Sequence, residues 1–254
     1  MSKHIVVGAG PIGTATAVRL AAQGEEVVVV TRSGSGPDHS AITRTAADAS
    51  SSAAMAELAA GAVAIYNCAN PAYHRWPTDW PPIAQALLTA AERSNAVLVT
   101  VSNLYGYGPV SGPMTESLPL PAQGPKALTR VQMWRDALAA HDAGRVRATE
   151  VRGSDYVVSG AQSHLGDRVV PRLLAGRGVR VMKSADTLHA WTATDDVARL
   201  GSPLARTEQP AADPARGCGR PVPCRRSPAG EGEGVPRHAN SRDGPVRPDD
   251  AGAP

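Results

Sequence analysis

The residues whose types and spacing most directly suggest chemistry stand at the start of the chain. Gly8-Ala9-Gly10-Pro11-Ile12-Gly13 is a G-x-G-x-x-G run that follows a short apolar segment and precedes apolar residues at helical spacing. A turn that leaves a strand and opens a helix presents free main-chain N–H groups and the positive end of the helix dipole, and the two together hold an anion. The three glycines meet different steric demands. Gly8 permits the tight turn, Gly10 lets the backbone approach a pyrophosphate, and Gly13 lets helix and strand pack closely. Pro11 and Ile12 complete the turn. The run reads as a dinucleotide-binding loop; the plainer alternative is a glycine-rich turn without a ligand.

The next apolar run, 26–31, ends in Thr31-Arg32-Ser33. A site that prefers NAD carries an acid here for the ribose 2′-hydroxyl. An arginine beside hydroxyls suits a 2′-phosphate instead, because the guanidinium fork matches phosphate oxygens and no carboxylate repels them. These residues favour NADP over NAD, and FAD is disfavoured by the same missing acid. The alternative is a solvated arginine in the polar loop SGSGPDHS.

The elements that must position these residues alternate. Apolar strand-like runs at 3–7, 26–31, 42–46, 62–67, 96–101 and 145–151 are separated by helical patterns at 14–23, 50–60, 83–93 and 125–140. Strands joined by helices of this length pair in parallel through right-handed crossovers, which predicts a doubly wound α/β sheet with helices on both faces.

Composition narrows the classes. The chain has 254 residues and a net charge of +3 without a basic run, so no nucleic-acid footprint is expected. Three cysteines without a C-x-x-C pair, no secretory leader and no apolar stretch long enough for a membrane point to a cytoplasmic protein. The last 54 residues differ: 201–254 hold ten Pro, eight Gly and eight Arg but only four of Ile, Leu, Val and Met. Such a segment buries too little apolar surface to offset its ordering entropy. It is expected to be disordered, either as a low-complexity tail or as an out-of-frame read of GC-rich DNA.

With these pieces in line, the chain resembles the short-chain dehydrogenase/reductase superfamily, in particular its NAD(P)-dependent epimerase/dehydratase branch. The resemblance rests on 6–24 (VVGAGPIGTATAVRLAAQG), 27–34 (VVVVTRSG), Ala47-Asp48, 101–108 (VSNLYGYG), 113–121 (PMTESLPLP) and 194–199 (TDDVAR). It implies a Rossmann domain over 1–151, a partial substrate region over 152–200 and the tail over 201–254. It also implies that Asp48 lies near the adenine, that Cys68-Ala69-Asn70 lines the cofactor cleft, and that Ser102 polarises the substrate oxygen. The implied activity is hydride transfer on a small carbonyl, alcohol or nucleotide-sugar substrate. Family members pair through the long helix, here 125–140, which implies a homodimer with Met133 and Trp134 as interface candidates, unless both are core.

The family's proton relay is Tyr-x-x-x-Lys on that helix, with both side chains on one face and the lysine lowering the tyrosine pKa. Here those positions read Lys126-Ala-Leu-Thr-Arg130, and no such motif occurs elsewhere. Three readings stay open: Tyr105 or Tyr107 as the acid, tuned by Lys126 or Arg130; Lys126 itself as proton donor; or binding without turnover. The last covers an NADP-binding regulator on the same fold, or an inactive product lacking part of its substrate lobe.

Two further segments border the expected crevice. The stretch 70–80 concentrates Tyr73, His74, Arg75, Trp76, Asp79 and Trp80. Its aromatics would stack on a substrate, with His74 or Arg75 on an anionic group, or would form a rigid lid packed on Pro81-Pro82, which the two tryptophans favour. No second ligand at metal spacing accompanies His74. Beyond Arg152-Gly153-Ser154-Asp155-Tyr156, His164, Arg168 and Arg172 fall on one side of an expected helix, as an anion site or, more commonly, a solvated face. Trp191 and Asp196 are expected to start the closing strand and helix.

Overall fold

Every apolar strand run became a strand, and six of them form one parallel sheet. The computed structural model describes residues 1–157, 169–180 and 189–204, all within one unit, Met1–Cys224. The elements that carry the sheet are β1 (Lys3–Val7), α1 (Pro11–Ala22), β2 (Glu26–Thr31), β3 (Ile42–Ala46), α2 (Ser52–Leu58), β4 (Ala62–Asn67), α3 (Trp76–Ser94), β5 (Val97–Asn103), α4 (Pro125–Asp142) and β6 (Arg147–Gly153). The strand order is β3-β2-β1-β4-β5-β6. The chain order therefore reverses beside β1, and ligands of open α/β sheets bind in the crevice at such a switch point.

Alternation along the strands explains the two layers. Ile5 and Val7 face a core shared with Met55 of α2, Leu87 of α3 and Trp134 of α4. Val6 faces the opposite core, with Ala17 and Leu20 of α1 and Val197 from near the described C-terminus. Both faces of the sheet are covered, so the strands read as continuous apolar runs rather than alternating ones.

Two boundaries differ most from the sequence expectation. The stretch 70–80 is only half loop: a short 3₁₀ turn, Tyr73–Arg75, leads directly into α3 at Trp76, seven residues before the expected start. Pro77 fits the first turn, where its missing N–H is not needed. Pro81 and Pro82 lie inside the helix, where they remove hydrogen bonds. Burial of Trp76 and of Trp80, which is 0% exposed, offsets that loss.

The last helix also runs further than expected. After β7 (Asp155–Val157), α5 (Val170–Leu174) and β8 (Trp191–Ala193), α6 spans Thr194–Leu204. It crosses the expected break at 200 because Gly201 is buried, its α-carbon close enough to the sheet that a Cβ would touch Tyr66 and Val99. The remainder of the segment expected to be disordered, 205–254, lies outside the described residues, as do His164 and Arg168. Trp191 opens β8, which pairs in parallel with β7, and Asp196 lies in the first turn of α6. Arg172 of α5 is exposed and donates to the Gly178 carbonyl, in keeping with a solvated face.

Candidate active site

The glycine turn sits at the carboxyl end of β1. Gly8 has φ +101°, donates to the Val30 carbonyl at 2.9 Å, and a Cβ on it would lie 2.6 Å from the Cys68 carbonyl oxygen. Gly13 is packed harder still, since a Cβ there would stand 2.0 Å from the Gly8 oxygen. Gly10 is different: a Cβ would meet nothing within 4 Å. The middle glycine therefore faces open space at the N-cap of α1, beside the first-turn amides of Ile12 and Gly13, with Pro11 at the first helical position and no acid in the first turn. A cradle with donors, open space at the close-approach glycine and no negative charge fits a diphosphate.

Around this turn lie the remaining cofactor candidates. Thr31 ends β2, and its hydroxyl donates to the Ser35 carbonyl. The Ser33 hydroxyl donates to that of Ser35, while Arg32 is exposed. Asp48 accepts from the Ser50 amide and hydroxyl at 2.9 and 2.8 Å, and these bonds, aided by Arg32, hold its carboxyl below the usual range. Ala69 and Asn70 follow β4, next to the glycine turn through the Gly8–Cys68 contact. Burial pushes the Cys68 thiol up to about 12, so it is not a nucleophile at neutral pH.

The expected catalytic residues separate into two groups. Ser102 is 2% exposed at the end of β5, and its carbonyl accepts from the Tyr156 hydroxyl. Tyr107 is also buried, and its hydroxyl accepts from Arg152, which is paired with Glu150. Tyr107 is thereby held in a largely buried charge network. Arg130 lies under Trp80 and Trp76, its guanidinium carbon 4.4 and 4.9 Å from their ring centres. Its Nη1 reaches the Val101 carbonyl at 3.5 Å, and its buried Nε has no hydrogen-bond partner among the described residues. Burial pulls this guanidinium below its ordinary range.

Tyr105 and Lys126 meet only through a third residue, which sequence reasoning considered for stacking alone. The Tyr73 hydroxyl donates to the Tyr105 hydroxyl at 3.1 Å, and the Lys126 ammonium lies 3.4 Å from the Tyr73 ring centre. Burial pushes the Tyr105 phenol well above its ordinary value, and the Asp155 carboxylate acts in the same sense. Trp76 and Trp80 are not substrate-facing platforms: they form a small core with Met133, and Trp134 joins the main core. Arg75 is paired with Asp79 at 2.9 Å. A separate cavity of about 380 Å³ lies between α3 and α4, floored by Asn67, Thr100 and Glu150, and none of the expected catalytic residues lines it. No described helix is long and apolar enough to cross a membrane.

The strand order and the open glycine turn define a Rossmann protein of the dinucleotide-binding class. Within that class the chain belongs to the NAD dependent epimerase/dehydratase family, whose model matches residues 4–211. A comparison with the curated proteins gives no match. Among solved structures, the chain is similar to a UDP-N-acetylglucosamine 4-epimerase from Methanobrevibacter ruminantium M1 in complex with UDP-N-acetylmuramic acid. The two share 15% identity and a TM-score of 0.71, over 82% of this chain and 74% of that one. It is also similar to a UDP-glucose 4-epimerase from Brucella ovis in complex with NAD, at 22% identity and TM-score 0.65, over 81% and 73%. A third similar structure is DesIV, a dTDP-glucose 4,6-dehydratase from Streptomyces venezuelae with NAD and TYD bound, at 23% identity and TM-score 0.65, over 80% and 72%. At these identities the likeness speaks to the fold.

Proposed function

We propose that this chain is an NAD(P)-dependent epimerase or dehydratase acting on a nucleotide sugar. The observation that carries the proposal is the open space at Gly10, at the N-cap of α1. Gly8, Gly10, Ile12 and Gly13 hold the diphosphate, Asp48 borders the adenine, and Arg32 with Thr31 and Ser33 receives a 2′-phosphate, which makes NADP the preferred cofactor. A bound nicotinamide ring accepts and returns a hydride at carbon. Ser102 orients the substrate oxygen, and Tyr105, kept protonated at neutral pH, donates to it. The region 152–200 borders the sugar. The family membership and the nucleotide-sugar ligands of the similar structures support this reading.

A second reading is binding without turnover. It is favoured by the sequence Lys126-Ala-Leu-Thr-Arg130 where the relay motif belongs, and by the commitment of Tyr107 and Arg130 to buried contacts. The test is to incubate the protein with NAD or NADP and with UDP-glucose, UDP-glucuronic acid or dTDP-glucose, and to resolve the sugar products by chromatography. Conversion of one sugar to a 4-epimer or a 4-keto-6-deoxy product is expected. Tight dinucleotide binding with every sugar unchanged would replace the enzyme assignment with the regulator.

A further inference from the structure

We propose that Tyr73 is the second member of the proton relay, with the Tyr73–Tyr105 hydroxyl pair and the Lys126 ammonium replacing the missing tyrosine and lysine of α4. This rests on the function proposed above and names residues for it.

The geometry is specific about direction. Tyr73 donates to Tyr105 at 3.1 Å, so the Tyr105 hydroxyl hydrogen is left free to point elsewhere. Tyr105 is 38% exposed and Tyr73 50%, so the outer phenol exchanges protons with water while the inner one is partly shielded. Lys126 lies over the Tyr73 ring, and the same position stabilises negative charge on that ring more than it stabilises the neutral phenol. Trp76 packs edge-on against Tyr73 at 4.9 Å and tilted against Tyr105 at 6.0 Å, which fixes both rings. The pair comes from two loops at the carboxyl ends of β4 and β5, on the edge of the sheet that also carries the glycine turn. A lysine at position 126 cannot be the family's phenol, but from α4 it reaches a phenol supplied by the neighbouring loop.

The step balances in atoms and charge. In the reducing direction a substrate carbonyl carbon takes up a hydride from reduced nicotinamide while its oxygen takes the Tyr105 proton. Tyr105 is restored by the Tyr73 proton, and Tyr73 by water. The carbonyl becomes an alcohol, the cofactor is left oxidised, and one proton is drawn from solvent. Oxidation runs the same chain backwards. Lys126 acts as a positioning residue that steadies Tyr73 while its proton is in transit.

The test uses the full chain labelled with 3-fluorotyrosine, whose lower intrinsic pKa brings phenol ionisation into range, with the Tyr105 signal assigned by its loss in Tyr105→Phe. The titratable or charged groups that act on Tyr105 are Tyr73, Asp155 and Arg130. Because Tyr73 donates to the Tyr105 oxygen and so favours its phenolate, removing the Tyr73 hydroxyl in Tyr73→Phe is expected to raise the Tyr105 midpoint by about one pH unit, a tenfold change in ionisation constant. An unmoved midpoint overturns the pair. In parallel, the protein loaded with NAD or NADP is mixed with UDP-glucose, UDP-glucuronic acid or dTDP-glucose and followed in a single turnover by absorbance at 340 nm. Tyr73→Phe is expected to slow the reaction about 100-fold and to alter its pH profile, with NADPH affinity unchanged. Lys126→Met is expected to slow it as well, and Lys126→Arg to restore it. Wild-type rates in Tyr73→Phe overturn the relay. Loss of dinucleotide binding in the wild type, or no reaction with any of the three sugars, overturns the functional assignment instead, and the titration still decides the pair.

Discussion

A Cβ on Gly13 would stand 2.0 Å from the carbonyl oxygen of Gly8, so the two outer glycines of the turn are locked against each other. Neither neighbour is a flexible side chain that can move aside. Gly13→Ala is expected to destabilise the fold by roughly 1–3 kcal/mol, as overpacking does. Urea unfolding checks this, and a midpoint equal to the wild type would mean that the turn relaxes freely.

Arg32 is exposed at the end of β2 and is proposed to meet a 2′-phosphate. A charged hydrogen bond contributes about 1.5–3 kcal/mol, so Arg32→Ala should weaken NADPH roughly 10- to 100-fold while leaving NADH nearly unchanged. Fluorescence titration with both nucleotides makes the comparison. Equal losses for the two would return the arginine to the solvated loop.

Buried Arg130 and half-buried Arg152 should respond oppositely to the same change. Arg152 pairs with Glu150, whose side chain is 5% exposed, and Arg152→Met would leave that carboxylate buried without its partner. Breaking such a pair costs about 3–5 kcal/mol. Arg130 makes one long hydrogen bond and otherwise lies on indole rings, so Arg130→Met replaces a desolvated charge with a side chain of similar reach. Its stability is expected to stay within about 1 kcal/mol of the wild type or to rise. Thermal melts of the two variants separate them, and a severe loss in Arg130→Met would show that its charge is needed.

Stability should also fall on the alkaline side. Burial raises the Cys68 thiol from 9.0 to about 12, so the unfolded chain loses this proton first. The contribution is fully present below pH 9 and disappears as the pH rises toward 12. The raised phenols of Tyr105 and Tyr156 act in the same sense above pH 10. Urea midpoints measured from pH 8 to pH 11 should decline, and less steeply in Cys68→Ala. An identical slope in that variant would assign the decline to the phenols alone.

Much of this fold was legible in the sequence because its strands are buried on both faces. Runs such as Glu26–Thr31 and Ala62–Asn67 stand out without needing a period. The glycine turn was legible because each glycine answers a different steric demand. The start of α3 was not: Pro77, Pro81 and Pro82 signal a loop locally, and the buried Trp76 and Trp80 that override them depend on α4, far away in sequence. The Tyr73 contacts were hidden for the same reason. A hydroxyl pair 32 residues apart and a lysine more than fifty residues after the first of them share no spacing rule, and only the parallel order of β4 and β5 brings them together.

The central claim is that main-chain amides at the end of β1 receive a diphosphate in the space before Gly10. Gly10→Val places its Cβ where no protein atom lies within 4 Å, so its melting temperature should stay close to that of the wild type. Titrating both proteins with NADPH and NADH by fluorescence should show wild-type binding and, in the variant, a loss of more than about tenfold, or ~1.4 kcal/mol. Undiminished affinity in a folded Gly10→Val protein would contradict the account.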